Sequence, residues 1–389
     1  MEPSTLSCVV LADDLTSAAD GAVPFRRAGH PALVLFAPPA PGAEAPGPGV
    51  TAVDLGTRLL AEPEAAARTR AAAVAYAGAG LLLKTVDSTL RGHVAAELRA
   101  ALAGSGRRAA VLAPAFPAEG RTTVGGVQYV RGVRVDESEF ARDPAHPVRT
   151  AELAALLPEA VAVDADRLGL LAGDGVFTCS AATDEELDAL VAAVPRPDEV
   201  LWVGSPGLAA ALARRHGRAP SRTAALPVSP PVRRPLAVVG SANPASRRQL
   251  AALYERAGAA GAVAGDPAAA LAALRAAAAP LLALHTPDAR GADPAELTRR
   301  IAAAAAGAVA EGLADGLVLT GGETAAAVLG VLGATGVELR DEPEPGIARG
   351  TLHGPAAPRL PVLVKAGGFG DDGALVRLCA LLTTAGDAR

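Results

Sequence analysis

Short apolar runs recur along this chain, each closed by a polar turn and followed by an alanine-rich stretch with helical spacing. Cys8–Leu11, Leu81–Leu83, Val200–Val203, Leu236–Val239, Leu317–Leu319 and Pro361–Val364 are such runs. Apolar runs this short, bounded by turn residues, read as strands buried on both faces. Their alternation with helices predicts an α/β fold, with mainly parallel sheets covered by helices on both sides.

The alternation stops twice. Residues 114–147 show little periodicity, and irregular segments of that length are usually functional or disordered. The spaced Phe116, Tyr129 and Phe140 favour an anchored loop. The stretch 219–235 holds Pro220, Pro227, Pro230, Pro231 and Pro235 and reads as a linker. At 389 residues the chain can bury two cores, so residues 1–218 and 236–389 are expected to be separate domains.

Composition narrows the function classes. A net charge of −5 argues against general nucleic-acid binding. Cys8, Cys179 and Cys379 lie far apart, in neither disulfide nor zinc-ligand spacing. No apolar run is long enough to span a membrane, and Met1 leads almost directly into an apolar strand, so a cytoplasmic protein is expected. Two of the 36 basic residues are lysines, Lys84 and Lys365. In a chain so biased towards arginine, both mark positions where a compact ammonium is hard to replace by a planar guanidinium.

Each lysine opens a polar turn. Lys84 begins Lys84-Thr85-Val86-Asp87-Ser88-Thr89-Leu90-Arg91-Gly92, between an apolar run and a helical stretch. Ligands in open α/β sheets bind at such strand ends. Asp13 and Asp14 close the first strand, and Arg58 follows the third. Arginine grips a carboxylate with two parallel hydrogen bonds, whereas Asp and Ser suit hydroxyls, so this edge fits a small polyhydroxy acid. The plainer reading makes Asp14 or Thr16 a helix cap and the rest surface charges.

The second half supplies three glycine-rich turns between strand and helix: 240–244, 320–324 and 365–372. Glycine lets backbone approach a ligand, and helix N-termini favour phosphate, so three such turns at one sheet edge suit a nucleotide. Neither a Walker-type loop nor a dinucleotide fingerprint is present. Glu323, Asp371 and Asp372 are candidates for Mg²⁺ or merely favourable charges at helix starts; the metal ligands stay unassigned.

Taken together, these motifs resemble the four-carbon acid sugar kinase family, whose members phosphorylate threonate, erythronate or 3-oxo-tetronate. Ala12-Asp13-Asp14-Leu15-Thr16, the Lys84–Gly92 stretch, Pro114-Ala115-Phe116-Pro117 and Gly120-Arg121-Thr122-Thr123 carry the resemblance in the first half. Glu139-Phe140-Ala141-Arg142-Asp143-Pro144, Gly240-Ser241, Gly321-Gly322-Glu323-Thr324 and Lys365 with Gly367 and Phe369-Gly370 extend it. The chain departs from the family pattern at Ser17, Asn243 and Ala366.

The resemblance implies an N-terminal acid-sugar domain (1–218), a C-terminal ATP domain (236–389) and an active site in the cleft between them. It assigns the acid sugar to Asp13, Asp14, Arg58, Asp87, Ser88, Thr89 and Arg91. It assigns ATP to Ser241, Gly321, Gly322, Glu323, Thr324, Lys365, Gly367 and Gly368, with Mg²⁺ as cofactor. The catalytic residues expected from their chemistry are Asp14 or Asp87, to accept the hydroxyl proton, and Lys84, which like Lys365 could neutralise phosphate. The expected reaction is ATP-dependent phosphorylation of a tetronate hydroxyl. A non-catalytic sensor of acid sugar and nucleotide, or an aldolase or isomerase, are the alternatives. Expected partners are small molecules only, and a homo-oligomer is left open.

Overall fold

The computed structural model describes residues 7–38, 48–143, 146–163, 174–217, 232–240, 243–287, 293–344, 346–365, 367–368 and 370–384. The chain divides into two compact units, Met1–Ala224 and Ala225–Arg389.

Unit one strings β1 (Ser7–Ala12), α1 (Leu15–Arg27), β2 (Ala32–Leu35), β3 (Gly49–Asp54), α2 (Glu62–Ala75), β4 (Leu81–Thr85), α3 (Val94–Ser105) and β5 (Ala109–Ala113) in the expected alternation. After β6 (Arg121–Val124), β7 (Val127–Val130) and β8 (Val133–Arg134) come α4 (Leu153–Leu156), β9 (Val161–Val163), β10 (Gly175–Cys179), α5 (Asp184–Ala193), β11 (Val200–Gly204) and α6 (Pro206–His216). The main sheet has the order β2-β3-β1-β4-β11-β5-β10-β9, and every neighbouring pair is parallel.

Side chains alternate across the sheet, which explains the continuous apolar runs. Val9 and Leu11 join a core with Ala72, Ala73, Leu98 and Ala101 of α2 and α3. Val10 points the other way, onto α1. There Gly21 is required, because a Cβ would lie 2.8 Å from Val10 Cγ1 and 2.9 Å from Thr85 Cγ2.

The segment expected to be an irregular loop is partly regular. β6, β7 and β8 form a separate antiparallel sheet. Gly125 and Gly126, with φ of 57° and 76°, turn β6 into β7 between the paired Val124 and Val127. Two residues of positive φ match the twist of a tight hairpin, so this Gly-Gly pair is a hairpin signal.

Unit two contains β12 (Pro235–Val239), α7 (Pro244–Ala257), β13 (Ala260–Val263), α8 (Pro267–Ala276), β14 (Leu282–His285), α9 (Pro294–Ala310), β15 (Gly316–Thr320) and α10 (Gly322–Val331). The hairpin β16 (Gly336–Glu344) and β17 (Ile347–His353), then β18 (Pro361–Lys365) and α11 (Ala374–Thr383), complete it. Strand order is β13-β14-β12-β15-β18-β17-β16, parallel through β18 and antiparallel beyond. Ala237, Val239, Val318 and Leu363 pack with Leu250 and Leu253 of α7 and with Leu375 and Leu378 of α11. On the other face α9 packs between α8 and α10.

The expected linker lies outside the described residues as far as 231. Its end belongs to unit two: Val232 joins the core and Pro235 opens β12. Proline is tolerated at the first position of a strand.

Candidate active site

In unit one the polar turns converge because β3, β1 and β4 are adjacent and parallel. Leaving β3, the chain folds back on the end of β1: Thr57 N donates to the Asp13 carbonyl at 2.9 Å, and Arg58 N at 3.2 Å. This hook aims the Arg58 guanidinium at both aspartates. Nε donates to Asp13 Oδ2 at 2.7 Å, Nη2 donates to Oδ1 at 2.9 Å, and Nη1 lies 2.8 Å from Asp14 Oδ2. Asp14 also caps α1, its Oδ1 accepting from Ser17 N at 2.7 Å. The capping and functional readings therefore use different oxygens of one carboxylate.

Burial works to raise the Asp13 carboxyl, but the Arg58 and Lys84 charges outweigh it and hold it at about 2. For Asp14 burial wins: despite Arg58 its carboxyl is raised, and the Asp13 charge adds to the rise. Asp54, at the end of β3, was not among the residues expected here. Burial pushes it up to about 7, helped by the charges of Asp14 and Asp13.

The Lys84–Gly92 stretch spans the end of β4 and the turn before α3. Lys84 is fully buried. Its Nζ donates to Thr85 O at 2.6 Å and pairs with Glu97 Oε2 of α3 at 3.0 Å. Glu97 accepts further bonds from Thr57 and Thr69. The ammonium expected to meet phosphate is thus bound first into a buried ion pair. Asp87 takes the Thr89 hydroxyl at 2.7 Å and the Arg91 guanidinium. Leu90, between them, has φ of 62°, a conformation that non-glycine residues adopt at a cost. Gln128, fully buried on β7, donates to Ser88 O at 2.7 Å and accepts from Thr123 Oγ1 at 2.6 Å. The three-stranded sheet therefore braces the strained turn.

Phe140, Asp143 and His146 close around the same turn. Arg91 Nη1 lies 3.2 Å from Asp143 Oδ2, and its guanidinium stands 5.1 Å above the Phe140 ring centre. His146 N donates to Asp143 Oδ1 at 2.8 Å, its Nε2 bonds the Arg58 carbonyl, and its ring meets His93 edge-on at 5.2 Å. Each arginine expected to clamp a substrate carboxylate already holds protein carboxylates.

In unit two β12, β15 and β18 are adjacent, so the three turns share one edge, with Val239, Thr320 and Lys365 in register. Ser241 lies outside the described residues. A Cβ on Gly240 would fall 1.9 Å from Thr324 Oγ1, so glycine is required where these turns meet. Gly321, with φ of 99°, donates its N–H to Lys365 O at 2.9 Å and hands the chain to Gly322 and Glu323, which open α10. The first-turn N–H groups of a helix favour anions. Lys365 is fully buried, and burial lowers its amine to about 8.

Helix α7 secures the last turn. Ser246 Oγ donates to Gly367 O at 2.7 Å, and Gln249 Nε2 donates to Gly370 O at 3.1 Å. Gly368 stands by Asn243: a Cβ there would lie 3.4 Å from Asn243 Nδ2. Asp371 and Asp372 are exposed and bonded to Arg377 and Arg248. Among the described residues, no three His, Cys, Asp or Glu side chains gather as metal ligands, and Glu323 carries no ion pair. No helix among them is long and apolar enough to cross a membrane.

Family models for a sugar-binding N-terminal domain and a nucleotide-binding C-terminal domain match residues 8–212 and 236–375. A D-threonate kinase of Cupriavidus necator is 38% identical over 95% of this chain and 96% of its own. A 3-oxo-tetronate kinase of Methylobacterium radiotolerans is 32% identical over 94% and 96%. The fold matches a Salmonella typhimurium structure described as a putative tRNA synthase, with TM-score 0.78 and 22% identity over 96% of this chain and 99% of that one. These full-length relatives mark the chain as a sugar-acid kinase, and the sensor, aldolase and isomerase alternatives are not favoured.

Proposed function

The chain belongs to the four-carbon acid sugar kinase family, and we propose that it transfers the γ-phosphoryl group of ATP to a hydroxyl of D-threonate. The full-length likeness to a D-threonate kinase carries this reading.

Phosphoryl transfer depends mainly on positioning and charge neutralisation. In this reading Asp14 and Asp87 hold the sugar hydroxyls, and one of them takes the proton of the attacking oxygen. Arg58 fixes Asp13 and Asp14 in place. Arg91 receives the substrate carboxylate by exchange with Asp143, its longer ionic contact at 3.2 Å. Lys84 backs this cluster from below through Glu97. The N–H groups of α10 and the Lys365 ammonium receive the nucleotide phosphates.

Mg²⁺ needs only one or two protein carboxylates beside nucleotide oxygens and water. Glu323, exposed at the start of α10, fits that requirement, whereas Asp371 and Asp372 are committed to arginines. The ion would neutralise phosphate charge there.

The reading is tested by ADP release from ATP over a panel of D-threonate, D-erythronate and 3-oxo-tetronate. D-threonate is expected to turn over fastest. No turnover on any four-carbon acid would sink the proposal.

A further inference from the structure

Thr320 is the last residue of β15, and it is wholly buried. Among the described residues its hydroxyl finds no hydrogen-bond partner. Such groups are rare because a buried donor left without a hydrogen bond is destabilising, and valine would fill the same space without that cost.

The position of this hydroxyl suggests what it is for. Thr320 is paired with Val239 on one side and Lys365 on the other. Residues in register on parallel strands project to the same face, so the hydroxyl and the Lys365 side chain stand side by side at the carboxyl edge. The following residues on β12 and β15 are Gly240 and Gly321, and the Lys365 amine reaches the Gly367 carbonyl at 3.4 Å. An unsatisfied donor, a buried ammonium and the start of α10 thus meet in one place. All three suit a ligand that is anionic and only accepts hydrogen bonds.

We propose that Thr320 is a nucleotide-binding residue whose hydroxyl donates to a phosphate oxygen of the bound nucleotide, an anion it shares with Lys365. The inference rests on unit two being the nucleotide site and adds to it a residue chosen against apo-state stability. A threonine with a structural hydrogen bond loses stability when changed to valine. Here Thr320→Val removes an unsatisfied donor at constant shape, so stability without ligand and affinity for nucleotide should move in opposite directions.

The test uses the full-length protein as wild type, Thr320→Val and Thr320→Ser, with ADP as probe. Unfolding is followed without ligand, and ADP affinity is measured by titration calorimetry. Thr320→Val should unfold at the same or a higher temperature than wild type, bind ADP about tenfold more weakly, and keep its KM for the acid sugar. Thr320→Ser should bind ADP within about twofold of wild type. Wild-type ADP affinity in Thr320→Val, as expected if a buried water alone meets the hydroxyl, overturns the proposal. So does a Thr320→Val protein that is destabilised without ligand. Wild type that neither binds ADP nor transfers phosphate defeats the nucleotide reading itself, and the inference with it.

Discussion

Arg58 and Asp13 face each other through two parallel hydrogen bonds, of 2.7 and 2.9 Å, with Asp13 almost wholly buried. This fork fixes the direction in which the carboxylate can act. Arg58→Lys keeps the charge but loses the fork. Displacements of an ångström cost about a hundredfold in rate, so kcat/KM for the acid sugar should fall by that order. Arg58→Ala should destabilise the fold by about 3 kcal/mol in urea unfolding, because it strands a buried carboxylate. The pH dependence has a defined sign. The Asp13 carboxyl is held at about 2, so its stabilisation is present above the ordinary carboxylate range and is lost as pH falls towards 2. Arg58→Ala should move that loss to higher pH.

Lys84 and Glu97 separate a structural from a catalytic role. Lys84→Met leaves Glu97 buried without its partner and should cost about 3–5 kcal/mol of stability. Lys84→Met with Glu97→Leu should recover most of that loss, since a buried ion pair can often be exchanged for apolar side chains. Kinase activity should stay absent in the double variant. Its return would reduce Lys84 to a structural residue.

Gln128 touches no reacting group in the proposed reaction, yet it holds the Ser88 carbonyl at 2.7 Å beside the strained Leu90. Gln128→Met keeps the volume and removes the donor. We expect kcat/KM for the acid sugar to fall about tenfold while KM for ATP stays unchanged, as fits a misplacement short of an ångström. A loss spread equally over both substrates would mean that unit one was damaged as a whole.

Lys365 titrates at about 8 because burial disfavours its charged form. Between pH 8 and the ordinary lysine range, the unfolded chain keeps a proton that the folded chain has lost. Stability should therefore rise with pH in that window, and Lys365→Met should abolish the rise. ADP affinity should fall over the same window as the ammonium is lost. Unfolding and ADP titrations from pH 7.5 to 10, on both proteins, check both effects.

The strand ends are legible in the sequence because apolar runs stop abruptly at charged or glycine-rich turns, as at Asp13, Asp87 and Gly321. The partners that hold those ends are not. Glu97 and Gln249 look like ordinary helix residues, and Asp143 and His146 lie in a stretch without periodicity. Each acts on a partner 40 to 122 positions away in the chain, as with Thr57 and Glu97 or Gln249 and Asp371. Local pattern carries no record of such pairings. The hairpin at Gly125-Gly126 had a local signature, obscured because glycine is common throughout the chain. Thr320 stands out in the sequence only as the first residue of the 320–324 turn, since its unsatisfied hydroxyl emerges from packing alone.

Gly21 lies two helical turns from Asp14, on a helix pressed so closely to β1 and β4 that a single methyl group would not fit. The distance at which α1 rides on the sheet sets where its first residue, and hence the Asp14 carboxylate, comes to rest. Part of the candidate site's geometry is therefore specified by a missing atom, in the packing layer between helix and sheet. Variation at that position would surface as a catalytic defect without a chemical cause, and a search confined to polar residues would pass over its origin.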